Sequence, residues 1–158
     1  QNNRKIKLSG ICHSREGGNP VHNITLMTKF ISIKRAQNEA FKIYDSWRKD
    51  GGINCPAFHG KVQVSLLGWR HIIGATGNKK RISDDVYRRL KLLPHVKTII
   101  ENSKLIQNIK KKNNKIYYAL EGMIEVEERN NKAFRKIRVI IVEDFKKNKI
   151  FLSVMDKK

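Results

Sequence analysis

Acidic residues are scarce in this chain of 158 residues: 14 Asp plus Glu stand against 34 Lys plus Arg, for a net charge of +20. An imbalance of that size speaks to partners more than to fold, and the expected partner is a polyanion. Cysteine is nearly absent. Cys12 and Cys55 have no companions at metal-ligand spacing, so they suggest neither a zinc site nor a disulfide framework, and a reducing compartment is the default. Carboxylates spaced to hold magnesium are also missing, and neither metal nor cofactor is expected. No apolar run approaches the roughly 20 residues that span a bilayer, which argues against a membrane partner. Arg4, Lys5 and Lys7 are not followed by an apolar stretch of signal type. The expected location is therefore cytoplasmic, with delivery into a target cell as the alternative, because a missing signal does not exclude export.

What is present fits one domain, since 39% hydrophobic residues suffice for one ordinary core and not for two. In residues 1–28 Gly, Pro, Asn and Ser interrupt every short apolar run, so an irregular tail is expected before a domain spanning 29–158. His13 and His22 read as solvated tail histidines rather than metal ligands. The phrase SREGGNP in this tail resembles translated interspersed repeats of some bacterial genomes.

From Phe30 to Lys49 apolar residues recur every three or four positions, predicting a helix that Asp50-Gly51-Gly52 stops. Tyr44 and Trp47 are expected in its packed face. Val62, Val64 and Leu66 alternate with polar residues and predict a half-buried strand, broken by Gly68. Ser83-Asp84-Asp85 reads as a cap for a helix carrying Val86, Leu90 and Leu93; Pro94 ends or kinks it before a second piece with Val96, Ile99 and Ile100. Residues 107–115 read most simply as a loop or strand crossing. Three antiparallel strands then follow, with Ile116, Tyr118, Leu120, Ile124 and Val126 sharing a face of the first and Ile137, Val139 and Ile141 lining the second. In the third, Ile150, Leu152 and Val154 are expected inside, opposite Phe151, Ser153 and Met155. The fold class is α+β, N-terminal helices packed on a four-stranded antiparallel sheet whose first strand is Val62–Leu66.

Charge is concentrated in the middle: Lys61 to Lys115 holds 14 basic and 3 acidic residues. Strand parity puts Tyr117, Glu121, Arg138 and Ser153 on one open face, with Arg70 and His71 at its rim. Such a set suits cleavage of RNA by internal attack, where a base takes the 2′-hydroxyl proton and cations stabilise the crowded phosphorus. His71 is the first candidate for acid or base and Glu121 the second; Arg138 would contact phosphate and Ser153 would orient it. Arg70, Lys79, Lys80, Arg81 and Arg88 are the further cations expected to hold substrate, with Tyr117 beside them. Plainer readings stand next to these: His71 as a turn cap, Glu121 as a strand residue paired with Arg138, Ser153 as an ordinary strand serine, Arg88 on a solvated face and Trp69 in the core.

The order helix, strand, Gly68-Trp69-Arg70-His71, helix with Tyr87-Arg88-Arg89-Leu90, then three strands ending in KIFLSVMDK resembles the nuclease superfamily named after barnase, EndoU, colicin and RelE, in its phage and mobile-element branches. The likeness covers Phe30 to Lys158. It implies metal-independent endoribonuclease or toxin activity on transfer, messenger or ribosomal RNA, with catalytic roles for His71 and Ser153 and with Arg70 and Arg81 nearby. An acidic antitoxin or immunity protein would be a further partner. Two alternatives are a non-catalytic RNA- or DNA-binding module and a structural or virion protein.

Overall fold

The computed structural model describes residues 20–76, 81–128 and 131–157. The chain is α+β. Helix α1 spans Pro20–Lys49, ten residues earlier than the periodicity indicated, so the stretch expected to be irregular is helical from Pro20 onward. Proline heads a helix readily because its missing N–H falls among the first-turn amides that have no helical partner. Ala40, Tyr44 and Trp47 from α1 are buried, as their spacing predicted.

After the Gly51-Gly52 stop, β1 (Ile53–Cys55) and β2 (Gly60–Val62) form a small antiparallel hairpin around a single 3₁₀ turn. The alternation of Val62 and Val64 does reflect burial, but it does not run on through Leu66. Ser65 caps helix α2 (Leu66–Ile72), its Oγ accepting from the Gly68 amide at 3.3 Å. Gly68-Trp69-Arg70-His71 is therefore helical. Gly68 is not a breaker; a Cβ there would lie 2.3 Å from the Phe151 carbonyl oxygen and 2.5 Å from the Tyr44 hydroxyl, so only glycine lets α2 seat this close. Trp69 packs between the rings of Phe41 and Tyr44, a core role.

Helix α3 (Ser83–Leu92) starts at Ser83 itself; Ile82 holds the cap position and makes no side-chain cap bond, so the expected serine cap does not form. Asp84 and Asp85 occupy the first turn, where their charge favours the positive end of the dipole. A 3₁₀ turn at Leu93–His95 containing Pro94 passes the chain to α4 (Val96–Asn102).

The main sheet has the order β3 (Asn108–Lys112), β4 (Lys115–Glu128), β5 (Asn131–Glu143), β6 (Lys149–Asp156), all antiparallel. Its first strand is thus not Val62–Leu66 but the basic run expected to be a loop. Asn113 and Asn114, both at positive φ (49° and 56°), make the two-residue turn that pairs Lys112 with Lys115. The earlier strand contributes one parallel bridge at Gln63 to the free edge of β6. One face of the sheet buries Leu120, Ile124, Ile137, Val139, Ile141 and Val154 against the helices.

Phe151 belongs to that core as well, which reverses the expected facing of the start of β6. Ile140 pairs with Ser153 and Ile141 with Phe151, leaving Leu152 as the extra residue of a bulge. A bulge shifts parity by one, so Phe151 turns inward and Leu152 does not. Among the described residues no helix is long and apolar enough to cross a membrane.

Candidate phosphodiester site

The face of the sheet opposite the core carries the candidates, and the register fixes their rows. Asn108, Ala119, Ile140 and Ser153 lie in one row across the four strands; Lys110 and Tyr117 form the row on one side, Glu121, Arg138 and Met155 the row on the other. Helices α2 and α3 pack along β6. They carry His71 and Arg89 over the sheet edge, Arg81 joins them from the segment just before α3, and the result is a cleft of about 460 Å³ lined by those three residues with Arg138, Ser153, Tyr117, Lys110 and Lys112. Gly74, at φ +73°, allows the chain to return beside α2: a Cβ there would meet the Arg81 Cβ at 2.4 Å.

A chain of polar contacts fixes the β6 wall. The Asp85 Oδ2 accepts from Arg81 Nη1 at 3.0 Å and from Arg89 Nε at 3.1 Å. Arg89 Nη1 then donates to the Val154 carbonyl at 3.0 Å and to the Ser153 hydroxyl. Arg89 and Ser153 are both buried. Burial alone would raise the Asp85 pKa, but the hydrogen bonds from Arg81 and Arg89 outweigh it and hold the carboxyl below its ordinary value. Two guanidinium groups share one carboxylate, so this wall keeps a net positive charge.

His71 faces that charge. Burial lowers its pKa, and the positive charges of Arg81 and Arg89 lower it further, so the imidazole is neutral at pH 7. Its Nδ1 is buried and, among the described residues, has no hydrogen-bond partner. That nitrogen is closed to the cleft, so a neutral ring beside these cations can accept a proton there only through its other nitrogen, Nε2.

Glu121 stands apart from this group. Its Oε1 accepts from Arg138 Nε at 2.9 Å and Nη2 at 2.7 Å, and Lys157 and Lys136 reach its two oxygens at 2.9 to 3.0 Å. Hydrogen bonds from Lys157 and Lys136 chiefly hold its pKa down to about 2, against the effect of burial. Such a carboxylate takes up no proton near neutral pH, and it lines a neighbouring hollow instead of the cleft. The geometry gives Glu121 the task of aiming Arg138.

The structure brings together His71, Arg81, Tyr117, Arg138 and Ser153. Arg70 is exposed on α2 away from the cleft, and Arg88 is exposed over a separate hollow with Tyr87 and Lys91. Lys79 and Lys80 lie outside the described residues. Arg89, Lys110, Lys112 and Asn108 line the cleft without having been singled out from the sequence. A signal for Arg89 existed: at 3.6 residues per turn it lies about 60° round α3 from Val86, whereas Arg88 lies about 160° away. Asp85, four residues before it and four after Arg81, is the matching carboxylate. Compared with protein-family models, with curated proteins and with solved structures, the chain matches none of them.

Proposed function

We propose that the cleft cleaves RNA without a metal ion, by attack of a 2′-oxygen on the adjacent phosphorus. The observation that carries the reading is the meeting, in one cleft, of a neutral imidazole and three guanidinium groups. His71 accepts the 2′-hydroxyl proton. The bond from O2′ to phosphorus forms as the bond to O5′ breaks, and the departing alkoxide is protonated by water that the open cleft admits. The products are a 2′,3′-cyclic phosphate and a 5′-hydroxyl. Arg81 and Arg138 hold the non-bridging oxygens, whose charge grows in the transition state. Arg89 adds positive potential and keeps the Ser153 hydroxyl in place.

Through the resemblance described above, the proposal extends to a toxin or phage-related effector whose neutralising partner presents an acidic surface. A second reading, a binding module for RNA or DNA without catalysis, is favoured by one observation: the Ser153 hydroxyl is already engaged by Arg89.

Digestion of labelled cellular RNA in EDTA separates the two. Cleavage is expected to leave 2′,3′-cyclic phosphate ends, and His71→Ala is expected to slow it by about 10²- to 10⁴-fold with RNA affinity retained. Because the His71 pKa is lowered, activity should persist on the acid side of the ordinary histidine value, about 6.5, and fall only below it. Wild-type protein that binds RNA but cuts no cellular RNA at high concentration would leave only the binding reading.

A further inference from the structure

The β3 half of the cleft contains a group that phosphate chemistry does not need. Asn108 is the uncharged polar side chain at the β3 end of the row Asn108, Ala119, Ile140, Ser153. It is exposed, and its amide has no hydrogen-bond partner among the described residues. Strands lie about 4.8 Å apart, so three spacings put Asn108 about 14 Å from Ser153. That leaves room for a ribose and a base between the phosphate end and the amide. Ala119, in the middle of the row, is small and buried, so the half-buried ring of Tyr117 two residues before it on β4 is the surface this part of the cleft presents.

We infer that this half of the cleft is a nucleobase subsite, in which an unpaired base lies against the Tyr117 ring and Asn108 reads its edge. The inference rests on the phosphodiester reading of the other half. An aromatic face gives affinity to any base through stacking. The carboxamide gives selectivity, because its adjacent acceptor and donor match the N6 donor and N7 acceptor of adenine. A base held this way cannot be stacked and paired in a duplex, so the substrate is single-stranded, with adenine preferred next to the reacting phosphate.

The test is binding of labelled deoxytetranucleotides that differ at one position, at fixed low salt. Without a 2′-hydroxyl they cannot be cut by internal attack, so the readout does not depend on catalysis. Wild type is expected to bind the adenine oligonucleotide at least fivefold more tightly than those with cytosine or thymine. Asn108→Ala should bring the four within about twofold of one another. Asn108→Asp, which keeps only acceptors, should shift the order toward cytosine, whose N4 is a donor. Tyr117→Ala should weaken all four by roughly tenfold, with Tyr117→Phe restoring most of it. Base-indifferent but salt-sensitive binding, or a preference that survives Asn108→Ala, would overturn the subsite and leave the phosphate reading intact. Failure to bind any oligonucleotide would overturn both.

Discussion

The two ends of the cleft are built on opposite principles. At the β6 end every charged group is tied: Arg81 and Arg89 share Asp85, Arg89 is buried and holds both Ser153 and the Val154 carbonyl, and the His71 ring is half-buried. At the β3 end Lys110, Lys112 and Asn108 stand exposed on an edge strand, and none has a partner among the described residues. Bonds to neighbours cost a cation its freedom but fix its position, which is what stabilising a transition state requires. Free lysines cannot aim, but they release counterions and attract a polyanion over distance. Under the proposed function the first end would be the place for chemistry and the second the place for capture.

The largest expected effect comes from cutting the tie at the β6 end. Arg89→Met keeps the apolar stem but removes three hydrogen bonds, leaving the Ser153 hydroxyl and the Val154 carbonyl buried without their partner. Asp85 keeps Arg81, so the loss is smaller than for an isolated buried charge. About 2 kcal/mol of stability should disappear, with at least a tenfold fall in turnover if the cleft cleaves RNA. Denaturant titration checks the first and single-turnover kinetics the second. A double-mutant cycle with Ser153→Ala sharpens the comparison, since the second substitution should then cost almost nothing. Additive losses would mean that Arg89 and Ser153 act separately.

Glu121→Gln probes the support of Arg138 from the hollow beside the cleft and should cost on the order of 1 kcal/mol at neutral pH. The sign of its pH dependence follows from a depressed carboxyl. Its pKa is about 2 in the folded chain and near 4.3 unfolded, so its stabilisation is complete above pH 4.3 and fades as pH falls toward 2. The difference in stability between wild type and Glu121→Gln should therefore shrink across that window. A constant difference from pH 7 to pH 2.5 would mean that the Lys136, Arg138 and Lys157 contacts do not hold the carboxylate in solution.

How much of this was legible follows the same division. The faces of β4 and β5 could be read because one side of each is buried, and burial leaves alternation in the sequence. β3 could not, since all five of its residues are exposed and no alternation is imposed on an edge strand without a buried side. Helix α2 was hidden because seven residues are too few to establish a 3.6-residue period, and Val62 and Val64 appeared to continue into Leu66. The facing of Phe151 and Leu152 depended on a bulge, which no period predicts. Open-face parity nonetheless placed Tyr117, Arg138 and Ser153 together. What it could not supply was Arg89, which arrives from another element, or the ring of cations that fixes Glu121's charge.

The smallest effect is the most specific to the β3 end. Lys110→Ala with Lys112→Ala removes two exposed side chains from an edge strand, so stability should change by less than about 0.5 kcal/mol. Affinity for single-stranded RNA should fall by only a modest factor at physiological salt, because each phosphate contact is one of several. The slope of affinity against salt is the better measure. Each lysine that neutralises a phosphate contributes about 0.7 to that slope on single strands, so the double variant should be shallower by about 1.4. Arg89→Met should change it much less, because its charge is already shared with Asp85 and buried away from counterions. If both variants flattened the slope equally, the two ends would be doing the same electrostatic work, and the division between capture and chemistry would fail.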